Sequence, residues 1–529
     1  MDISPVLTAV ATDQPIVITE TPAVTRVKDR TCARERSLLW IALLTPAVLL
    51  IHGYHPFSED AGIYVAGVRK LADPSLYQHD AAFVLANTRF SLFADLLAAI
   101  LRITGIRLSY VLLFTHLASI FAFLFACRSL ARRVFAASAA QWSAVAFAGA
   151  CFTMPIAGTS LFLMDPYVTA RSFATPLGLL TLAAVIDRKW TGAGLLFLLA
   201  ALMHPLIAAY LLAFVLLFLF IDFGHRRYAW ILSLLGVMAS AAIYLATMKI
   251  PVSAAYGQAI LSRTYLFPTQ WAWFEYLGLA MPLLIYAAPF RLLGTRTLAG
   301  RLCLAAIMLG SSAALSAFLF VDPAGPYLLA RLQLLRSFHV IYLVGIVLLG
   351  GYIGNRFFVS GDYAQTHRAR WAGLALLAAT AATMFLAQHL TYPRSAHVEL
   401  PGAAPRNPWQ QAFMWIRANT PAEAVFAANP DLVLQDGEDA QSFRVMTERS
   451  LLADYKDEGV AILFPRLAAQ WALEYNAQNG LDRLSDNESQ ARLQPLGVTW
   501  LLLSSQAVTS FPCPWRNAVA QVCRLGTVP

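Results

Sequence analysis

The chain has 529 residues, of which 58% are hydrophobic and 13% are charged. Soluble domains carry about 25% charged residues, so this composition excludes an ordinary soluble protein and predicts an integral membrane protein surrounded by lipids. The formal net charge is +9. The basic residues concentrate beside apolar segments, where they set membrane topology, and no nucleic-acid partner is predicted.

The first predicted segment, residues 1–36, is a disordered tail. Residues 1–25 are polar and rich in Thr and Val, and they lack the apolar core of a cleavable signal peptide. Basic residues gather just before the first apolar run, at positions 26, 28, 30, 34 and 36. Because basic residues favour the cytoplasmic side of a membrane, the tail is predicted to be cytoplasmic.

The transmembrane domain is predicted to occupy residues 37–392. The runs fit to cross about 30 Å of hydrocarbon are 38–53, 109–127, 140–163, 173–187, 191–204, 205–222, 229–247, 274–291, 302–320, 337–355 and 372–391. The segment 91–105 is short and contains Asp95 and Arg102, so we interpret it as a juxtamembrane or re-entrant piece. If it crossed, the count would rise from about eleven to about twelve and every later loop would change sides.

The basic clusters of the later loops give one consistent topology. Placing all of them in the cytoplasm assigns to that side the segments 128–133, 187–189, 225–227, 291–301 and 356–370. The exterior then receives the loop 54–90, the loops near Asp165 and His204, and the segment 393–529. The predicted location is a bacterial inner membrane, with the C-terminal domain in the periplasm.

The exterior loop opens with adjacent carboxylates. Ser58 is predicted to cap an amphipathic helix whose first turn carries Glu59 and Asp60, and Asp73 before a proline ends it. One interpretation is structural, because first-turn carboxylates stabilise the helix dipole. The other is functional: the carboxylates lie at the mouth of a cavity, where they deprotonate an acceptor hydroxyl or bind a divalent cation beside a phosphate.

A second group of polar residues lies between two apolar runs on the same predicted side. The stretch LFLMDPYVTARSFATP contains Asp165, Tyr167 and Arg171, and AALMHPLIAAY contains His204. Ionisable residues at membrane depth are costly and usually face a cavity or a partner. The alternative for His204 is a simple turn, formed with the proline that follows it.

A third group opens the span near residue 337. The stretch PYLLARLQLLRSFHVIY contains Arg331, Arg336 and His339. Cations on the exterior side depart from the usual charge distribution, which favours binding of a lipid phosphate. Interfacial snorkelling of the arginine side chains is the alternative.

Residues 393–529 are predicted to form a small α/β domain outside the membrane. WQQAFMWIRA and ALEYNAQNGLDRL have helical spacing, whereas AVFAAN and VTWLLLSS are typical of buried strands. Cys513 and Cys523 could close a hairpin through a disulfide in an oxidising compartment. The domain sequence contains no Ser-His-Asp arrangement, phosphate-binding glycine loop or redox motif, and no Cys/His spacing in the chain indicates zinc.

Four features together resemble the polytopic C-type glycosyltransferases that use lipid-phosphate-linked sugars. They are a short first span, a long exterior loop that opens with SEDAGIY, many later spans and a C-terminal exterior domain. The stretch PWQQAFMWIRANTPAEAVF is similar to the start of the soluble domain in oligosaccharyltransferase-like members. The chain departs from them in having no well-formed Trp-Trp-Asp-Tyr-Gly signature, of which LLADYKDEG is only a faint echo, and no clear Lys-Pro-Pro in the first loop. LADPSLYQHD, MDPYVTARS and MHPL resemble an uncharacterised bacterial membrane family.

The resemblance implies an inverting transfer of a sugar from a polyprenyl-phosphate-linked donor to an exterior acceptor. The family's first-loop acid matches Glu59 or Asp60, either of which would act as the base, and Asp60 is the candidate ligand if Mg²⁺ or Mn²⁺ takes part. The second exterior acid matches Asp165, which would orient the acceptor. The residues assigned to substrate binding, with the arginines holding the phosphate, are Tyr167, Arg171, His204, Arg331, Arg336 and His339.

Two other functions fit the same pattern. A transporter or flippase-like carrier would use the intramembrane charges as coupling or substrate sites, although the two halves of the sequence show no internal repeat. A non-catalytic membrane protein is the third possibility. An enzyme requires that the acids and arginines converge on one outward cavity, whereas a carrier requires a midplane site open to both sides.

Overall fold

The computed structural model describes residues 23–359, 363–434 and 443–526, so the predicted tail lies outside the described residues up to residue 22. The chain is helical from residue 23, and residues 23–36 therefore belong to the first helix rather than to the tail. The first four helices are α1 (Ala23–His52), α2 (Asp60–Ala72), α3 (Ala81–Ala86) and α4 (Phe93–Thr104).

The rest of the bundle contains twelve helices and one two-stranded hairpin among the described residues. In chain order they are α5 (Leu108–Val134), α6 (Ser138–Ala150), β1 (Pro155–Ile156), β2 (Leu161–Phe162), α7 (Ala170–Ile186), α8 (Trp190–Met203), α9 (Pro205–Asp222), α10 (Arg226–Thr247), α11 (Ala254–Leu261), α12 (Trp273–Leu293), α13 (Leu298–Phe320), α14 (Leu328–Leu332), α15 (Phe338–Phe358) and α16 (Tyr363–Thr391).

Eight helices of the described chain are long and apolar enough to cross a membrane, which confirms a polytopic membrane protein. The predicted number of spans was higher because three predicted spans fall on shorter helices. These are α6, α7 and α8, with 13, 17 and 14 residues, or about 20, 26 and 21 Å at 1.5 Å per residue. The predicted span 140–163 is therefore wrong beyond Ala150, where the chain turns into the β1–β2 hairpin.

The segment 91–105 forms no straight span, because its helix is bent by 105° against the preceding helical segment Ala81–Phe90. Its helix α4 packs against α2 of the first loop and buries Phe93 and Leu97 while exposing Leu96 and Ile103. α5 then begins at the end of the bundle where α1 ended, since Leu108 belongs to the same apolar cluster as residues of α2. This agrees with the juxtamembrane interpretation and preserves the predicted alternation of the later loops.

The basic clusters lie at the other end of the bundle. Arg133 Nη2 lies 2.5 Å from Asp187 Oδ2, and Arg301 Nε lies 2.7 Å from Asp222 Oδ1. Arg188 also pairs with Asp222. These residues come from the ends of α5, α7 and α9 and from the first turn of α13, so one end of the bundle carries ion pairs and the opposite end carries the C-terminal domain.

The C-terminal domain confirms the predicted small α/β unit. Its elements are α17 (Pro408–Asn419), β3 (Val425–Ala428), α18 (Phe443–Thr447), β4 (Ser450–Leu451), α19 (Asp457–Leu463), α20 (Ala468–Gln478), α21 (Asp486–Leu493), β5 (Trp500–Ser504), β6 (Trp515–Arg516) and β7 (Ala520–Arg524). The strand order is β4-β3-β5-β7-β6. β3 runs parallel to β4 and β5, and β7 runs antiparallel to β5 and β6. Cys513 and Cys523 form the predicted disulfide.

A buried ion pair joins the domain to the first loop. Arg444 of α18 contacts Asp80 of the loop and donates from Nη2 to Asp457 Oδ2 at 2.7 Å. The hydroxyl of Tyr77 donates to the backbone carbonyl of Arg444 at 2.8 Å. Because these groups are buried, removing one partner of an ion pair would leave the charge of the other partner uncompensated. The loop 54–90 is therefore part of the domain's docking surface as well as a connection.

Candidate active site

An open cavity of about 540 Å³ lies where the bundle meets the C-terminal domain, within the size range of small-molecule sites. Its walls come from the first loop, the α6–α7 loop, the start of α12, the end of α16 and the domain. The lining residues that carry polar or aromatic groups are Glu59, Asp60, Ser160, Phe162, Asp165, Tyr167, Arg171, Tyr265, Phe274, Glu275, Thr391, Tyr392 and Lys456. Segments far apart in sequence thus meet in one place.

An ion-pair network of one arginine and two carboxylates lies at the cavity floor. Arg171, at the start of α7, donates from Nη1 to Asp60 Oδ2 at 3.0 Å and from Nη2 to Asp165 Oδ2 at 3.0 Å. Its side chain is 8% exposed. One buried guanidinium therefore bridges the two carboxylates that the sequence placed on the same side of the membrane.

Asp165 has one satisfied and one unsatisfied oxygen. Its Oδ2 accepts from Thr169 Oγ1 at 3.0 Å in addition to Arg171, whereas Oδ1 is buried with no hydrogen-bond partner. The residue is 3% exposed. Burial raises the pKa of this carboxyl, against the opposing effect of Arg171. Among the described residues, the enclosed Oδ1 therefore has no donor, although Asp165 itself lines the cavity.

Lys456 brings a second cation from the C-terminal domain. Its Nζ lies 2.6 Å from Glu59 Oε2 and 3.4 Å from Asp60 Oδ1. Burial opposes the charged forms, but the attraction between opposite charges outweighs it: the pKa of Lys456 is raised, and that of Asp60 is lowered by Lys456 and Arg171. The sequence analysis missed Lys456; its only signal was the stretch LLADYKDEG.

Glu59 has a strained backbone. Its φ is 52°, in a region that residues other than glycine adopt only at a cost of about 1–3 kcal/mol. It occupies the N-cap of α2 without a capping side-chain hydrogen bond. The prediction that Ser58 caps this helix is wrong, because Ser58 Oγ instead lies 3.2 Å from the His55 carbonyl oxygen and 3.3 Å from the Tyr392 hydroxyl oxygen. The turn directs the Glu59 side chain towards Lys456 rather than along the helix.

The α6–α7 loop supplies the opposite wall. Tyr167 is buried there, and burial together with Asp165 raises the pKa of its hydroxyl. Gly158 lies in the same loop with a φ of 67°, and a Cβ at this position would lie 2.2 Å from the ring of Trp271. Trp271 is fixed in turn by a 3.1 Å hydrogen bond from Nε1 to the Tyr265 carbonyl. The wall therefore requires glycine at position 158.

Replacing Gly158 by Ala is expected to lower the free energy of unfolding by about 1–3 kcal/mol through overpacking and backbone strain. Thermal unfolding of the purified protein measures the change. Gly257→Ala in α11 is the matched control, because no heavy atom lies within 4 Å of a Cβ there and alanine favours a helix. Equal melting temperatures for the two variants would contradict the proposed constraint on this wall.

Arg336 lies in an adjoining cavity rather than in the main one. That second cavity is lined by apolar residues such as Leu266, Trp271 and Val321, and Tyr265 lines both. The guanidinium carbon of Arg336 lies 5.4 Å from the centre of the Tyr265 ring, and Nε donates to the Thr159 carbonyl at 3.3 Å. Among the ion pairs of the described residues, none involves Arg336.

The other predicted binding residues lie outside both cavities. Arg331 donates from Nη2 to the Leu463 carbonyl of the domain at 3.1 Å. His339 is buried and its Nε2 contacts the Leu163 carbonyl at 3.0 Å. His204 is the N-cap of α9, where its Nδ1 accepts from the backbone of the third residue on. Their contacts position the domain, the α6–α7 loop and a helix end.

The predicted divalent cation has a poor fit to these residues. In the parts of the chain that the structure describes, no group of three His, Cys, Asp or Glu side chains is arranged to hold a metal ion. Asp60, the candidate ligand, already has Lys456 at Oδ1 and Arg171 at Oδ2. Hard cations such as Mg²⁺ need several free oxygen ligands, which Asp60 does not offer.

Comparison with known proteins adds little to this geometry. A family model described as a domain of unknown function (DUF6798) matches residues 407–470. Among curated proteins, none matches significantly. The resemblance to an uncharacterised bacterial membrane family stays a prediction.

Two solved structures are similar in fold. One is the archaeal oligosaccharyltransferase AglB from Archaeoglobus fulgidus in complex with an inhibitory peptide and a dolichol-phosphate, with a TM-score of 0.43. The other is the Archaeoglobus fulgidus oligosaccharyltransferase in the apo form, with a TM-score of 0.44. Each is 12% identical over 89% of this chain and 69% of that chain. Likeness at this level assigns neither a family nor a function.

Proposed function

We propose that the chain is a membrane glycosyltransferase that moves a sugar from a polyprenyl-phosphate-linked donor to an acceptor, with inversion at the anomeric carbon. The observation that carries the proposal is the convergence of Glu59, Asp60, Asp165, Arg171 and Lys456 on one cavity. Three separate segments supply these groups, and clustered charged groups in a cleft are typical of catalytic sites.

The proposed membrane is the bacterial inner membrane, with the N-terminus in the cytoplasm and the C-terminal domain outside. The cavity lies among loops and helix ends on the domain side, which favours an enzyme over a carrier, since a carrier needs a midplane site open to both sides. A donor held in the lipid by its prenyl chain reaches such a site along the membrane surface. The acceptor reaches it from water.

Arg336 is the group proposed to hold the donor phosphate. It has no carboxylate partner among the described residues and lies beside the main cavity, in an apolar second cavity of about 20 Å³ that would have to widen to admit a phosphate. Guanidinium groups bind phosphate through paired N–H donors. Arg331 has a different proposed role, because its guanidinium holds the domain.

Glu59 is the proposed general base. Its side chain is 40% exposed and faces one cation, whereas Asp60 is held ionised between two and is therefore a weaker base. In the proposed step the acceptor O–H bond breaks and its proton passes to Glu59. The acceptor oxygen bonds to the anomeric carbon, and the bond from that carbon to the phosphate oxygen breaks, so the electron pair leaves on the phosphate. A single displacement inverts the carbon.

The remaining charges position the base and the acceptor. Arg171 fixes Asp60 and Asp165, and the free Oδ1 of Asp165 accepts a hydrogen bond from the acceptor. Lys456 of the domain forms an ion pair with Glu59 and a longer one with Asp60. Fixed charges in a site shielded from water stabilise charge development more strongly than they would in solution.

Purified full-length protein in lipid nanodiscs tests the function directly. We expect it to consume polyprenyl-phosphate sugars and to release the polyprenyl phosphate in the presence of an acceptor panel, measured by mass spectrometry of the lipid. The anomeric configuration of the product should be opposite to that of the donor. A folded protein that turns over no donor in the panel, while vesicle assays show solute or lipid movement, would replace this proposal by the carrier.

A further inference from the structure

The main cavity has a surplus of negative charge. Four carboxylates line it, from Glu59, Asp60, Asp165 and Glu275, against the two cations Arg171 and Lys456. Each cation is already shared between two carboxylates. A phosphate in this cavity would compete with three of those carboxylates for the same two cations. Arg336 also acts on Asp60 from the adjoining cavity, but the acidic groups still outnumber the basic ones, so the cavity suits a positive group better than an anion.

One buried oxygen points to a ligand independently of the charge count. Among the described residues, the enclosed Oδ1 of Asp165 has no hydrogen-bond partner, and the residue, which lines the cavity, is 3% exposed. Buried carboxylate oxygens are normally satisfied, and leaving one unsatisfied costs about 1–3 kcal/mol or more. A ligand that donates a hydrogen bond, and best of all one that also carries a positive charge, removes that cost.

The walls suit the same chemistry. Five aromatic side chains line the cavity, namely Phe162, Tyr167, Tyr265, Phe274 and Tyr392. Aromatic faces attract ammonium groups and also stack on the apolar faces of sugar rings. A neutral polyol would use the aromatic walls but would leave the surplus carboxylate charge unbalanced. A protonated amine on a sugar would use both features.

We infer that the sugar group entering the main cavity carries a protonated amine, which binds the acidic side chains of Asp165 and Glu275 and the aromatic walls. The inference deepens the proposed function by naming a substrate class, amino sugars, and it rests on that function only for the sugar. The amine belongs either to the transferred sugar or to the acceptor, since both pass through this cavity.

The test compares the binding of two matched probes to the full-length protein in nanodiscs. Saturation-transfer NMR measures the binding of each probe. Methyl 2-amino-2-deoxyglucoside is compared with methyl glucoside below the pKa of the amine. We expect the amine to bind about 10- to 100-fold more tightly, the equilibrium equivalent of one hydrogen bond to a charged group. Equal binding of the two probes, or no binding of either, would overturn the inference.

Variants locate the amine. Asp165→Asn should reduce the preference to a few-fold at most, and Glu275→Gln should reduce it while the amide oxygen still caps α12 at the Ala272 N–H. The second variant keeps the test valid if the first fails to fold. Glu423→Gln, at an exposed position of the domain, should leave the preference unchanged. A preference that survives both cavity variants would mean that the amine binds elsewhere, which also overturns the inference.

Transfer assays separate this inference from the proposed function. An amine preference in binding without any sugar transfer would leave the inference standing and remove the glycosyltransferase. Transfer from a neutral donor to a neutral acceptor, with no preference for an amine on the donor or on the acceptor, would support the glycosyltransferase and remove the inference about the amine. When both hold, supplying the amino sugar first as donor and then as acceptor identifies which partner carries the amine.

Discussion

Sugar transfer is expected to fall by a factor of about 10²–10⁴ when Glu59 is replaced by Gln, the usual consequence of removing a general base. The fold should survive, because the side chain is 40% exposed and its pair with Lys456 is partly solvated. Such pairs contribute about 0–1 kcal/mol to stability. A large fall in the transfer rate with almost no change in stability would identify a catalytic carboxylate. A carboxylate that only stabilises the helix would not lower the transfer rate in a variant that stays folded.

The backbone of Glu59 offers a second variant that makes the test sharper. Glu59→Gly removes the side chain and relieves a φ of 52°, so its melting temperature should equal or exceed that of Glu59→Gln while transfer stays low. Glu423→Gln is the charge-matched control and should retain wild-type turnover. Asp60→Asn and Asp165→Asn should also lose turnover. Wild-type turnover in all the Glu59, Asp60 and Asp165 variants would refute the catalytic assignment.

Loss of Arg171 should have the largest effect on stability. In Arg171→Met the carboxylates of Asp60 and Asp165 would remain at the cavity floor without the guanidinium that lies 3.0 Å from each. Removing one partner from a buried ion pair costs about 3–5 kcal/mol, because it leaves an uncompensated buried charge. We expect the variant to unfold at a clearly lower temperature or denaturant concentration in detergent micelles.

Arg188→Met is the matched control at the opposite end of the bundle. The Arg188 side chain is 40% exposed and pairs with Asp222, so its loss should cost at most about 1 kcal/mol. The double variant Arg171→Met/Asp165→Asn removes the buried charge together with its partner and should recover part of the lost stability. If Arg171→Met and Arg188→Met melt alike, the Asp60–Arg171–Asp165 network does not stabilise the floor.

The amino-acid sequence by itself determined the class of the protein and predicted which of its loops share one end of the bundle. Apolar runs of membrane length and the placement of Lys and Arg are local properties, readable without contacts. They put Asp60, Asp165 and the C-terminal domain at one end of the bundle, where the structure also has them. The buried strands β3 and β5 were equally visible, because each is a short apolar run between turn residues.

Only the tertiary structure decided which charged groups meet. Lys456 lies nearly four hundred residues from Glu59, and no local pattern pairs them; docking of the domain on the first loop does. The same docking draws Arg331 to the Leu463 carbonyl, while Arg336 lies on Tyr265 in a second cavity. The apolar runs and the basic residues predict on which side of a membrane a residue lies. Which charged side chains on that side come into contact depends on packing between distant segments. That is why the sequence indicated the acids of the site but not the cation that completes it.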